Sequence, residues 1–200
     1  MGIPGRNIKE KAEFRTLILD AAWTMVRHEG WSSLSLRKIS EAIDYSVPVI
    51  YDHFENKEAI LLEFSRQGFS LLLKKLSAAG QKHSDPGEQL AAIAEAYWNF
   101  AFRNTAYYQL MFGLGMPSSD MEKCIGERNA FRALVVSPIN QLLEKNAKKQ
   151  VNACLKYHTF WSVLHGLVSI KMLGDAEAPE SLNKLVMVDA INGFIRNLEN

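Results

Sequence analysis

The side chains between Ser35 and Lys57 are of the types that bind phosphate oxygens and base edges. Ser35 and Tyr51 bring hydroxyl groups, His53 an imidazole and Lys57 an ammonium group, all of which can hydrogen-bond to phosphate. Arg37 is long enough to reach a phosphate or the edge of a guanine. These residue types at this spacing predict a surface that binds double-stranded DNA.

The stretch from Ser46 to Tyr51 has an unusual composition for a helix. Val47, Val49 and Ile50 are β-branched, which restricts their rotamers and lowers helix propensity. The presence of β-branched residues at an exposed helix start is explained if their methyl groups touch thymine methyls in the major groove. The full set of predicted DNA-contacting residues is Ser35, Arg37, Lys38, Ser46, Val47, Pro48, Val49, Tyr51, His53 and Lys57.

Two short helices joined by a tight turn must position this surface. We expect Ser35 to cap the first helix, Asp44 to lie in the turn, and Ser46 to cap the second, with Pro48 in its first turn. Asn56 is expected to cap the helix that follows. This order is that of a helix-turn-helix, whose second helix enters the major groove. The alternative is an ordinary helical subdomain with Tyr51 in its core.

Apolar residues recur at helical spacing along almost the whole chain, and no strand pattern occurs. Residues 79–87 read as a linker, and the last two helices are predicted at 148–173 and 181–198. We therefore predict an all-α fold of about nine helices. Residues 1–57 would form a three-helix DNA-binding domain, and residues 58–200 a helical domain for ligand binding and dimerisation.

Composition constrains the class of protein. The chain has 200 residues, 48% of them apolar, and a formal net charge of +1. Residues 1–57 contain eight basic and eight acidic side chains, so a basic surface must come from their placement. Cys124 and Cys154 have no metal-ligand spacing, so we expect no metal site and no cofactor. No leader pattern or membrane-length apolar run occurs, which predicts a cytoplasmic protein.

Residues 14–64 closely resemble the DNA-binding head of the TetR family of bacterial transcriptional regulators. The match includes Ala21-Ala22, the turn at residues 29–31, and above all residues 46–58, which are similar to the family signature S-x-x-x-(L/I)-Y-x-H-F-x-x-K-E. The family usually has glycine where Asp44 stands, and aspartate accepts the left-handed conformation better than most residues. The resemblance implies an all-α homodimer that binds a palindromic operator.

The C-terminal part is rich in aromatic residues that could line a pocket for a small, largely apolar effector. Residues 160–168 resemble the Trp…His-Gly motif of some TetR-like C-terminal domains. The alternative is that the aromatic stripe is core and His165 is an ordinary packed histidine. The predicted ligand-binding residues are Tyr97, Trp98, Phe102, Tyr108, Met111, Phe112, Trp161, His165 and Met172.

The last two helices carry long apolar faces, which predict a homodimer held by a four-helix bundle. Packing within one chain is the alternative. The function predicted from these features is a transcriptional repressor that a ligand releases from DNA. Two other hypotheses stay open: an all-α enzyme with a hydrophobic pocket, although no catalytic constellation is visible, and a regulator without a small-molecule effector.

Overall fold

The computed structural model describes residues 4–113, 124–148, 150–172 and 180–200. In these ranges the chain forms nine α-helices and one 3₁₀ turn at Trp31–Ser33, with no strand, which confirms the predicted all-α fold. None of the described helices combines the length and apolar character needed to cross a membrane. The helices are α1 (Pro4–Glu29), α2 (Leu36–Ala42), α3 (Val47–Tyr51), α4 (Lys57–Gly80), α5 (Pro86–Arg103), α6 (Thr105–Phe112), α7 (Ile125–Lys145), α8 (Ala153–Met172) and α9 (Glu180–Glu199).

One apolar core holds α1, α2 and α3 together. Ile18, Ala22 and Val26 recur every four residues along α1 and are buried, so this helix has a single inward face. Ile39 of α2 and Ile50 of α3 are fully buried in the same core. Its other buried members are Leu34, Phe54, Ile60, Leu61, Phe64 and Leu110.

Capping residues begin these helices where the sequence predicts. Ser35 Oγ accepts a hydrogen bond of 3.2 Å from the backbone N–H three residues later, and Asn56 Oδ1 accepts one of 2.8 Å in the same way. Pro48 lies in the first turn of α3. Ser46 occupies the N-cap position of α3, but its side chain makes no capping hydrogen bond. The Ser46 hydroxyl is therefore available to a ligand.

The turn between α2 and α3 adopts the left-handed conformation at Asp44, whose φ is 58°. This region favours glycine because a Cβ atom is strained there. The backbone N–H of Tyr45 donates to the carbonyl oxygen of Ser40 over 3.0 Å and closes the turn. The prediction that aspartate accepts this turn conformation is confirmed.

We expect Asp44→Gly to stabilise the protein by up to about 1 kcal/mol, because glycine removes the left-handed strain. The greater freedom of glycine in the unfolded chain offsets part of this gain. Chemical denaturation measures the change. The matched control is Asp52→Gly, because Asp52 has an ordinary φ of −64° and the replacement there should destabilise. Equal effects of the two replacements would contradict the strain argument.

The chain divides into two packing units. The first comprises Met1–Gly68 and Ala106–Cys124, and the second comprises Phe69–Thr105 and Ile125–Asn200. Residue 57, the predicted end of the DNA-binding domain, is not a boundary of this division. The assignment of DNA binding to residues 1–57 stays a prediction about function.

Helix α6 packs within the first unit. Trp31 Nε1 donates a hydrogen bond of 2.7 Å to the carbonyl oxygen of Ala106. The ring of Tyr107 stacks on Trp23, with 4.4 Å between the ring centroids. Residues far along the chain thus complete the packing of the helix-turn-helix head.

The second unit is built from α5, α7, α8 and α9, which pack against one another. Its core consists of aromatic and aliphatic side chains from all four helices. They include Leu90, Ile93, Tyr97, Phe131, Val135, Ile139, Leu142, Phe160, Leu164, Val168, Met187, Ile191 and Leu198.

Helix α8 begins at Ala153, so the prediction that it starts at Lys148 is wrong. Ala147 has a positive φ of 57°, which ends the preceding helical segment. Asn152 then caps α8, because its Oδ1 accepts hydrogen bonds from the backbone N–H groups of Cys154 at 2.9 Å and Leu155 at 3.2 Å. The predicted end at Leu173 lies outside the described residues.

Candidate nucleic-acid interface

Helix α3 presents one side to solvent. Pro48 and Tyr51 are exposed, Val47 is half-buried, and the i, i+1, i+4 spacing places the three side chains on the same side. Ile50 is fully buried, so the prediction that its methyl groups are exposed with those of the valines is wrong. Its β-branched side chain anchors the short helix to the core. Val49 is half-buried and keeps part of its surface accessible.

The predicted cations of α2 are exposed but bound to carboxylates. Arg37 Nε lies 2.9 Å from Glu41 Oε1, one helical turn away. Lys38 Nζ lies 2.9 Å from Glu29 Oε2 at the end of α1. A phosphate must compete with these carboxylates for Arg37 and Lys38. The two ion pairs therefore reduce the attraction of these cations for DNA.

We expect Glu41→Gln to raise affinity for random-sequence duplex roughly three- to tenfold at low salt, because it frees Arg37 and removes a negative charge. The salt dependence should become steeper by up to about 0.9 in the log–log slope. Stability should change little, because exposed ion pairs contribute at most about 1 kcal/mol. Fluorescence polarisation across a salt series measures both quantities.

The control is Glu144→Gln, which makes the same change in net charge on an exposed position of α7 in the second unit. This variant should bind DNA like the unmodified protein. If both variants gain equally, net charge rather than the release of Arg37 explains the effect.

Three predicted phosphate ligands lie between the end of α3 and the start of α4. Tyr51 is 55% exposed. Lys57 is the first residue of α4, is half-buried, and forms no ion pair with the described residues. His53 is half-buried, and its ring stacks on Phe14 with 4.7 Å between the centroids. These three side chains occupy the end of α3 and the start of α4.

The surroundings of His53 favour the neutral form of its imidazole. Burial lowers the pKa of His53, Lys11 and Arg15 lower it further, and Asp52 acts in the opposite direction. Nδ1 is enclosed and makes no hydrogen bond within the described part of the chain. The neutral ring is therefore best satisfied with its proton on Nε2, the tautomer that can donate to a phosphate oxygen.

Two residues of α1, which residue type and spacing did not single out, hold the ends of α3. Phe14 contacts Tyr45 before α3, with 4.8 Å between the centroids, and His53 after it. Arg15 Nη1 donates a hydrogen bond of 2.5 Å to the carbonyl oxygen of His53. Neither contact has a local sequence signal, because the partners are more than thirty residues apart in the chain.

Six of the predicted ligand-binding residues belong to the second unit. Tyr97 is fully buried, and Trp98 packs against Phe102 with 4.9 Å between the centroids. Trp161 and His165 stack at 5.2 Å, one turn apart on α8, and burial lowers the pKa of His165. The sixth, Met172, is half-buried at the end of α8.

The other three predicted ligand-binding residues belong to the first unit. Tyr108 and Met111 are buried, and Phe112 is half-buried and lies 4.8 Å from Tyr108 between ring centroids. Six of the nine residues thus belong to the second unit and three to the first. Their role in ligand binding stays a prediction.

A cavity of about 350 Å³ opens between α5 and α9 in the second unit, and none of the predicted ligand-binding residues lines it. Its rim carries the ion pair Lys184–Glu95 at 2.9 Å and a contact of 3.2 Å between His83 Nδ1 and Glu88 Oε2. Within the described ranges, no three His, Cys, Asp or Glu side chains come close enough to hold a metal ion.

Both parts of the chain match family models. Residues 18–64 match the model described as bacterial regulatory proteins, tetR family, and residues 90–188 match that of the tetracyclin repressor-like C-terminal domain. The HTH-type transcriptional regulator Rv0681 of Mycobacterium tuberculosis is 22% identical over 160 residues, which are 80% of this chain and 71% of that protein.

Solved structures share the fold. A protein of unknown function from Rhodococcus sp. RHA1 is 23% identical with a TM-score of 0.77, and the match covers 93% of this chain and 95% of that one. The transcriptional regulator FadR from Bacillus subtilis, solved in complex with stearoyl-CoA, is 14% identical with a TM-score of 0.70. That match covers 92% of this chain and 97% of FadR.

Proposed function

Because the chain belongs to the TetR family of bacterial transcriptional regulators, it is a DNA-binding regulator, and we propose that it is a repressor. In this proposal a homodimer binds a palindromic operator in the cytoplasm, and a small, largely apolar effector releases it. The family match and the regulators among its relatives set aside the alternative of an all-α enzyme. The observation that carries the proposal is the exposed side of α3, held in place by the buried Ile50.

Helix α3 enters the major groove in this proposal. Val47 and Val49 touch thymine methyls, while the hydroxyls of Ser46 and Tyr51 and the ammonium group of Lys57 bind phosphates. Ser35, Arg37, Lys38, Pro48 and His53 complete the contact set. In a two-fold dimer, the two α3 helices would lie about 34–36 Å apart or at a larger related spacing.

The outer faces of α8 and α9 support the proposed dimer. Buried residues such as Phe160, Leu164 and Val168 face the core of the second unit, so only the outward-facing residues of these helices can form the proposed interface. Those outward residues are large, apolar and exposed, and a second copy packed on these helices would remove their surfaces from water. They are Leu155, Ile170, Leu182, Leu185, Val186 and Val188.

Two glycines point to the same faces. A Cβ atom built on Gly166 of α8 or on Gly193 of α9 meets no atom of the described residues within 4 Å. Glycine inside a helix costs about 1 kcal/mol relative to alanine, and contacts with the described residues do not explain it here. Close approach of a second copy, which a side chain at these positions would prevent, explains both glycines.

The effector part of the proposal rests on the aromatic side chains of α5 and α8 in the second unit. The related fold of FadR, whose structure contains stearoyl-CoA, makes a long acyl chain a suitable probe. An effector shifts the protein between DNA-bound and free states only if it binds one of them more tightly. A regulator with no small-molecule effector is the second candidate.

A random-site DNA selection tests the proposal. We expect a palindrome, bound with an affinity that falls steeply with salt. An asymmetric site would contradict the two-fold dimer, and the absence of any selected sequence would contradict operator binding. Stearoyl-CoA is then added to the complex, with coenzyme A as the control. Release by the acylated molecule alone supports an apolar effector, whereas no release and no thermal shift with either molecule, or with a metabolite extract, favours the second candidate.

A further inference from the structure

Arg15 of α1 contacts two residues just after the end of α3 and one residue of α4. Its Nη1 donates a hydrogen bond of 2.5 Å to the carbonyl oxygen of His53, and its guanidinium carbon lies 4.1 Å from the centroid of the Phe54 ring. Its Nη2 also lies 3.7 Å from Glu63 Oε2 on α4. One side chain therefore joins α1, the end of α3 and the start of α4.

Helix α3 needs such support because it contains only five residues. A helix this short has little intrinsic stability, so contacts from outside must hold the turn that follows it, where Arg15 donates to the His53 carbonyl. A cation at the C-terminal end also complements the helix dipole. The planar guanidinium can donate a hydrogen bond and stack on a ring at once, which a lysine ammonium group cannot reproduce.

We propose that Arg15 is a positioning residue that sets the orientation of α3 on DNA without contacting DNA itself. The proposal rests on the function proposed above. Three partners within the chain already use the guanidinium, and one of them is a carboxylate that a phosphate would have to displace. Arg15 acts through the backbone at His53, on the side of α3 that follows Tyr51.

The test compares Arg15→Gln and Arg15→Lys with Arg27→Gln, a control that removes an exposed charge from the same helix. Affinity for the selected operator should fall about tenfold or more in both Arg15 variants, comparable to the loss of one base contact. Affinity for random duplex and the salt slope should stay within error. The Arg27 variant should match the unmodified protein in every measurement.

A salt slope lower by about 0.9, or full rescue by Arg15→Lys, would show that Arg15 is a phosphate contact and overturn the proposal. Equal loss on operator and random duplex with a lowered melting temperature would show general destabilisation and overturn it too. Amide hydrogen exchange of the free protein gives a readout that needs no DNA. We expect faster exchange confined to residues 47–54 in Arg15→Gln, and unchanged exchange there would refute positioning even if operator binding itself failed.

Discussion

Leu185→Glu is expected to convert the proposed dimer to monomers and to lower operator affinity at least about a hundredfold. Leu185 is 63% exposed in the single chain, so a glutamate there leaves the fold intact. In the proposed four-helix interface, the same glutamate would be a buried, unpaired charge. A monomer has one head, so it loses the high effective concentration that joins the two half-sites, a factor of about 10² to 10⁴.

Sedimentation equilibrium measures the first effect and fluorescence polarisation the second. Ile125→Glu is the matched control, because Ile125 is a similarly exposed apolar residue on α7. It should leave both assembly and DNA binding unchanged. Gly166→Leu is a second variant: a Cβ atom at Gly166 meets no described atom within 4 Å, so we expect the larger side chain to clash only with a partner. A dimer that survives Leu185→Glu and Gly166→Leu would place the interface elsewhere.

Ile50→Ala is expected to lower the free energy of unfolding by about 2–5 kcal/mol, although it changes a residue of the DNA-reading helix. Ile50 is fully buried against the core of the first unit, so its truncation leaves a cavity and loosens α3. Operator binding and random-duplex binding should weaken together, because the whole helix loses its support. Thermal and chemical denaturation measure the stability, and polarisation measures the binding.

Val49→Ala is the matched comparison, because Val49 precedes Ile50 on the same helix and is only half-buried. Its stability should change by less than about 1 kcal/mol, and its operator affinity should fall by roughly 5- to 150-fold only at sites with the proposed thymine contact. A stable Ile50→Ala protein with normal DNA binding would be inconsistent with the anchoring role. Loss of stability in Val49→Ala equal to that in Ile50→Ala would remove the distinction between anchor and contact.

The order of helices in the head could be predicted because local chemistry determines it. Ser35 and Asn56 cap helices through hydrogen bonds that span three residues, and Pro48 suits a first helical turn wherever it occurs. The signature at residues 46–58 combines these local features with the exposed Tyr51. Such short-range preferences need no knowledge of the rest of the chain.

The roles of individual side chains at the site could not be predicted in the same way. Ile50 and Val49 are both β-branched neighbours in α3, and only the packing of α1 and α4 shows that the first is an anchor. The sequence predicts that Arg37 contacts DNA, whereas in the structure its guanidinium forms an ion pair with Glu41. Arg15 acquires its role through a contact with a residue 38 positions away. Each of these outcomes depends on neighbours that are distant along the chain.

The amino-acid sequence by itself determined the all-α class and the helix order of the helix-turn-helix, since these follow from helical periodicity, caps and turn chemistry. Only the tertiary structure decided which apolar faces are inward. In α9, for example, apolar residues occur on several sides of the helix, so their spacing does not indicate which side is buried. Packing buries Met187 and Ile191 and leaves Leu182 and Leu185 exposed. It also joined α6 to the helix-turn-helix through Trp31. Burial and long-range hydrogen bonding arise from three-dimensional proximity, which residue spacing alone does not encode.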